Sequence, residues 1–253
     1  MESLSQKFSQ RSDIIGRLYR RAVKIKLYFK YPDSFVRDIK MLLRKPGARR
    51  LGISYHPPNF IYCSGIHKES IIVDVGCGFE ADFSRHMIEK FGVTAYGIDP
   101  TEKHRQPLRQ LQSSSGGKFI YLQNAVSSKS GELLFYEIAN RESGSLLAEH
   151  VNFMQDETIS YMVKSITLKE IPDKIDHVQI DLIKLDIEGA EYDLFSHIKN
   201  EDLAAYKQIY IEFHHNSIKD KSIADTRRIV TSLCTLGFKS FTLDDINYLF
   251  YRE

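Results

Sequence analysis

The stretch Asp181-Leu-Ile-Lys-Leu-Asp-Ile-Glu-Gly-Ala-Glu191 restricts the possible folds more than any other part of the chain. Ile183, Leu185 and Ile187 alternate with Leu182, Lys184, Asp186 and Glu188, which is the period of a β-strand whose side chains point to opposite faces. Gly189 breaks the strand, and residues 190–198 continue with apolar side chains at helical spacing. A strand passing through a glycine into a helix is the building unit of α/β proteins, whose ligands sit where strands end and helices begin. Charges at that position are expensive unless each is paired or used.

From Ser70 onward the same unit repeats. The pattern predicts a strand at Ile71 to Val75, a helix from Ala81 to Phe91 with Phe83, Met87, Ile88 and Phe91 inward, and a strand at Thr94 to Ile98. A helix from Glu102 to Gln112, weakened by Pro107, leads to a third strand over Phe119 to Val126. Leu133 to Ile138 and Ile159 to Leu168 read as strands of a hairpin insertion beside the site. After the opening stretch come a strand at Gln208 to His214, a helix from Ile223 to Leu236 ended by Gly237, and a closing hairpin of Phe238 to Leu243 with Tyr248 to Tyr251. This alternation implies a doubly wound, mostly parallel sheet covered on both faces. A chain of 253 residues, 42% of them hydrophobic, holds one such domain, placed at 52–253, with residues 1–51 as an N-terminal helical extension.

The extension differs in charge from the domain. Residues 1–50 hold fourteen Lys/Arg and four Asp/Glu, net +10, which leaves 21 against 29, net −8, for residues 51–253. Ile14, Ile15, Leu18, Tyr19, Ala22 and Val23 form one face of a predicted helix over residues 14–23. A second helix carries Phe35, Val36, Ile39, Leu42 and Leu43 and is expected to stop at Arg44-Lys-Pro-Gly47. Three readings of this basic arm stand open: helices with solvated basic faces, docking on an anionic membrane surface, and recruitment of an anionic substrate. Nucleic acid is the least supported partner, since no motif for it accompanies Tyr19, Tyr28, Phe29 and Tyr31. The chain has no run of about 18 apolar residues. It shows no signal-peptide pattern, and Cys63, Cys77 and Cys234 lack metal-ligand spacing. The expectation is a cytoplasmic protein in a reducing compartment, able to meet a membrane only at its surface.

Asp74-Val-Gly-Cys-Gly-Phe-Glu-Ala-Asp82 lies where the first strand turns into its helix, and Gly76 and Gly78 let a ligand approach the backbone. Asp99, at the end of the second strand, is spaced to hold a ribose diol. Gly76-x-Gly78-x-x-Ala81 also satisfies the dinucleotide fingerprint, so an NAD(P)-dependent oxidoreductase is a rival reading. Charge separates the two. Asp74 and Glu80 repel a pyrophosphate and attract the ammonium and sulfonium of S-adenosylmethionine.

Val73-Asp-Val-Gly-Cys-Gly78 followed by Gly97-Ile-Asp-Pro100 resembles the first two motifs of class I S-adenosylmethionine-dependent methyltransferases. The resemblance implies that Asp74, Gly76 and Gly78 flank the methionine part of that cofactor, Asp99 its ribose, and Asn124 and Ala125 its adenine. Lys184-Leu-Asp-Ile-Glu-Gly-Ala-Glu191, preceded by Ser165-Ile-Thr-Leu168 and followed by Tyr210-Ile-Glu-Phe-His214, is similar to the FkbM family within that class. It implies O-methylation of saccharides or polyketide-like natural products, as in polysaccharide biosynthesis. Two places depart from the family pattern: Lys169-Glu170 after the Thr-Leu pair, and Cys77 and Phe79 in the glycine turn.

A hydroxyl is a poor nucleophile near neutral pH, and a positioned base adds about 10²- to 10⁴-fold. Asp186 and Glu188 are the rival bases, with Lys184 as counter-charge, and a neutral His214 or His215 is an alternative. Asp186, Glu188, Glu212 and His214 also form a possible oxygen-rich set for Mg or Mn. A non-catalytic cofactor-binding scaffold with a recruiting arm is the remaining reading.

Overall fold

A computed structural model of the chain describes residues 32–57, 60–138, 144–147 and 158–252. The chain divides into two units, Met1–Pro46 and Gly47–Glu253. The helix expected over residues 14–23 lies outside the described residues. Helix α1 spans Pro32–Arg50 and passes through Pro46, so the expected stop at Gly47 is corrected. The chain leaves the helix at Gly52 instead: its N–H donates to the Arg49 carbonyl, and its φ of +67° is the left-handed angle that Gly47 lacks.

Ile53–His56 (β1) and Phe60–Cys63 (β2) form a short antiparallel hairpin with no counterpart in the sequence reading. Ile71–Val75 (β3), Asp82–Phe91 (α2), Thr94–Ile98 (β4), Arg105–Ser114 (α3) and Phe119–Leu122 (β5) then follow in alternation. Pro107 sits in the first turn of α3, where its missing N–H has no intrahelical partner to lose.

The third strand ends earlier than expected. Ala125–Val126 (β6) leaves the main sheet and joins Gly131–Ile138 (β7), Gly144–Ser145 (β8) and Thr158–Ile166 (β9) in a four-stranded sheet of order β6-β9-β7-β8. The expected hairpin is its β7/β9 pair, in register from Gly131 opposite Ser165 to Ile138 opposite Thr158. The chain continues through Ile171–Ile175 (α4), Leu182–Leu185 (β10), Glu191–Ser196 (α5), Gln208–Glu212 (β11), Ile223–Thr235 (α6), Lys239–Thr242 (β12) and Asn247–Tyr251 (β13).

The main sheet has seven strands in the order β12-β13-β11-β10-β3-β4-β5, with β13 antiparallel to both neighbours. From β3 the chain winds outward through β4 and β5, and from β10 through β11. The switch point therefore lies between β3 and β10, and ligands of such sheets bind beyond the strand ends there. Ile72, Val73, Leu182, Ile183 and Leu185 of these central strands are fully buried. Each such side chain contributes about 1.5–3 kcal/mol. Asp74 and Lys184 are register partners on these strands, so two charges meet inside an otherwise apolar pair.

Candidate active site

Beyond the end of β3, the backbone at Gly76 turns with φ +68° and its N–H donates to the Ile98 carbonyl at 2.8 Å. A Cβ on Gly76 would lie 1.7 Å from the Asp186 carbonyl oxygen, so the turn after β3 and the loop after β10 touch only because this residue is glycine. Gly78 also has a positive φ, of +65°, but a Cβ there would meet nothing within 4 Å. Its open side faces a cleft of about 340 Å³ lined by both strand ends.

Helix α2 has no side-chain cap of its own, since Ala81 at its N-terminus carries no polar side-chain atom. Asp74 supplies the cap from β3: Oδ2 accepts hydrogen bonds from the Ser84 N–H at 3.1 Å and from its hydroxyl at 2.8 Å. Oδ1 is buried without a hydrogen bond and lies 3.6 Å from Lys184 Nζ. Burial raises the Asp74 pKa, against the pull of Lys184 and Ser84. Lys184 bonds Asp186 at 3.1 Å; burial alone would lower its pKa, but Asp186, Asp74 and Glu212 raise it, so it stays charged.

Strand β10 is shorter than its alternation implied. It stops at Leu185, and Asp186 to Ala190 form a loop in which Glu188 takes a left-handed φ of +51°. For a residue with a side chain that conformation costs of order 1–3 kcal/mol and persists only where the surroundings fix it. Here the Ser145 hydroxyl donates to the Glu188 carbonyl at 2.7 Å, and the Gly189 N–H donates to Glu191 Oε2 at 2.9 Å.

Glu191, which the sequence marks only as the end of the opening stretch, is fully buried. Its Oε1 accepts the His214 N–H at 2.7 Å and faces His214 Nδ1 at 3.2 Å. The other ring nitrogen, Nε2, lies 3.5 Å from Asp186 and 3.6 Å from Glu188. Burial would lower the His214 pKa, but the hydrogen bond and charge of Glu191, with Asp186 and Glu188, lift it from 6.5 to about 10. With that pKa the ring holds its proton near neutral pH, whereas the sequence offered a neutral His214 as an alternative base. For Asp186, burial is outweighed by the charges of Lys184 and His214, and its pKa falls below the ordinary value. Glu212 moves the other way, to about 7, through burial and the charge of Asp186.

The cleft brings together Asp74, Gly76, Gly78, Glu80, Asp99, Lys184, Asp186, Glu188 and Glu212, with Phe60 and Phe83 adding apolar walls. Asp99 is buried, and its carboxylate accepts the N–H groups of Gly78 and Thr101, each at 2.9 Å. Burial raises its pKa, yet His104 and Thr101 bring the balance below the usual carboxylate value. Ala125 lines a smaller apolar recess beside Asp99 and Asp186. Asn124 lines neither space; its amide donates to the Lys164 carbonyl on β9. His215 turns away, its ring 3.0 Å from the Thr226 hydroxyl. Ligand atoms of Asp186, Glu188 and His214 lie within 4.8 Å of one another, but a divalent ion would first have to displace the His214 proton.

A methyltransferase FkbM domain model matches residues 67–240. The chain belongs to the FkbM family. Its class is that of S-adenosylmethionine-dependent methyltransferases, and the sheet order found here is the Rossmann-like arrangement expected for it. Curated protein sequences give no match. Among solved structures, a Methanococcus jannaschii fibrillarin pre-rRNA processing protein is similar at 13% identity and TM-score 0.48, covering 81% of this chain and 73% of that one. An Aeropyrum pernix fibrillarin with bound S-adenosyl-L-methionine aligns at 9% identity and TM-score 0.41, over 74% and 69%. A putative RNA methyltransferase from Pyrococcus horikoshii aligns at 10% and 0.38, over 86% and 81%.

The FkbM cleft also suits that cofactor by charge. Its described lining includes seven carboxylates, Asp74, Glu80, Asp82, Asp99, Asp186, Glu188 and Glu212, against the single lysine Lys184. Such a lining attracts an ammonium and a sulfonium and repels the pyrophosphate of a dinucleotide. The unbonded Oδ1 of Asp74 and the open side of Gly78 leave polar capacity and room in the same place.

Proposed function

We propose that the protein transfers a methyl group from S-adenosylmethionine to a hydroxyl of a saccharide or glycan-like acceptor. The observation that carries this reading is the convergence of Asp186, Glu188 and Glu212 in the cleft that the glycine turn opens into. When bound, the cofactor supplies a methyl carbon already activated by its sulfonium. The acceptor hydroxyl must then be aligned and relieved of its proton, which is work for carboxylates.

Asp74, Gly76, Gly78 and Glu80 would hold the methionine part of the cofactor, Asp99 its ribose and Ala125 the edge of its adenine. Asp99 Oδ2 accepts the Gly78 N–H and keeps lone-pair capacity for a ribose hydroxyl, whereas Oδ1 already meets both the Thr101 N–H and His104 Nδ1. Asp186, kept ionised by Lys184 and His214, orients the hydroxyl together with Glu188. Glu212 has a pKa near the operating pH and is suited to receive the proton. Phe60 and Phe83, edge to face at 5.1 Å, add an apolar wall to the carboxylates, which suits a ring with both C–H and O–H faces.

Asp99→Ala should weaken S-adenosylmethionine binding by more than about tenfold in calorimetry, the loss of a charge-assisted pair of hydrogen bonds. Asp186→Asn should keep that affinity within a few-fold and reduce transfer of labelled methyl to glycan acceptors by about 10²- to 10⁴-fold. Equal transfer by wild type and Asp186→Asn would overturn the assignment of the reacting centre.

A further inference from the structure

Helix α1 is a basic feature that methyl transfer leaves without a role. Ile39, Leu42 and Leu43, at the spacing that shares one helix face, are 40%, 67% and 75% exposed. The residues of a soluble surface helix that occupy such a stripe normally face a core. In the same helix, spacing puts Lys40 and Arg44 on one flank of the stripe and Lys45 and Arg49 on the other. The N-terminal fifty residues carry net +10.

We propose that this helix docks the enzyme on an anionic lipid bilayer, with Ile39, Leu42 and Leu43 entering the boundary between headgroups and acyl chains. The flanking lysines and arginines then lie at headgroup level, where each basic residue is attracted by anionic lipid. No described helix is long and apolar enough to cross a membrane, so the contact lies on the surface. The exposed leucines decide between lipid and nucleic acid. A phosphate backbone rewards the positive charge alone, whereas a bilayer rewards the aliphatic stripe as well.

The test is flotation of the full-length protein with vesicles of phosphatidylglycerol and phosphatidylcholine, against phosphatidylcholine alone. Wild type should float with the anionic vesicles and be released by salt. L42S/L43S, which keeps every charge, should bind them on the order of tenfold more weakly or less. Its thermal midpoint and S-adenosylmethionine affinity should be unchanged, since both leucines are exposed. K45Q/R49Q should also weaken flotation, by about fivefold or more. Absence of wild-type flotation, or equal flotation of L42S/L43S, overturns the proposal. Retention of RNA on filters by wild type and L42S/L43S alike, without vesicle binding, assigns the charge to nucleic acid and overturns it too. So does a wild-type dimer in light scattering that becomes a monomer in L42S/L43S while neither form binds vesicles.

Discussion

The two loops that leave the central strands are built in opposite ways. After β3 the chain turns on glycines, and backbone is brought to the cleft with little side chain in between. After β10 it turns on Glu188 and Gly189, and four ionisable side chains, Asp186, Glu188, Glu191 and His214, are packed against one another. The first design leaves space for a ligand, and the second fixes charge. They are joined at one point, where the Asp186 carbonyl oxygen fills the volume that a Gly76 side chain would need.

The strongest way to break this arrangement is Gly76→Ala. A methyl 1.7 Å from a backbone oxygen, at a φ of +68°, must push the two loops apart. The expected loss is about 4 kcal/mol or more, read as a large fall in thermal midpoint or as failure to fold. Gly78→Ala sharpens the contrast. With nothing within 4 Å it should lose only the roughly 1–2 kcal/mol of left-handed backbone strain, yet its methyl points into cleft space and should weaken S-adenosylmethionine binding. Equal stability of the two variants would refute the distinction.

On the side of β10, Glu191→Gln removes a buried charge from between Gly189 and His214. One buried partner is then left facing an amide N–H, at an expected cost of about 3 kcal/mol in urea denaturation. The pH profile identifies the cause. The folded pKa of His214, about 10, lies above its ordinary 6.5, so its pairing stabilises the fold fully below 6.5 and is lost as pH rises through 10. Wild-type stability should fall across that window, and the fall should shrink in Glu191→Gln. Titration of the His214 ring by NMR should show its pKa dropping toward the ordinary value in the variant.

How much of this was legible in the sequence depends on distance along the chain. Ile71 to Val75 and Thr94 to Ile98 are readable to the residue, because a largely buried strand shows as a short, mostly apolar run bounded by turn residues. The glycine turn, Asp99 and the Lys184 counter-charge are readable because their spacing within adjacent βα units is local. The β1/β2 hairpin escapes notice because each strand is only four residues and has no alternation long enough to detect. Ala125 and Val126 resume the apolar pattern just past Gln123-Asn124, and only tertiary pairing with β9 shows that they have changed sheet. The charge of His214 is equally invisible, since its partner Glu191 lies 23 residues away and looks like an ordinary acid in a helix's first turn.

The most gradual effect concerns the carboxylate that belongs to neither loop. Glu212 ends β11 and faces both designs, and burial with the charge of Asp186 holds its pKa near 7 rather than 4.5. A raised folded pKa means that the fold retains this proton when the unfolded chain has released it. The associated stability is therefore fully present below 4.5 and declines as pH rises to about 7. For one proton the slope is at most about 1.4 kcal/mol per pH unit, and it should vanish in Glu212→Gln. If Glu212 receives the acceptor's proton, wild-type methyl transfer should climb through the same pH range, while the residual rate of Glu212→Gln stays flat. A stability slope lost without any change in the rate profile would leave Glu212 a structural acid and return the proton to the loop after β10.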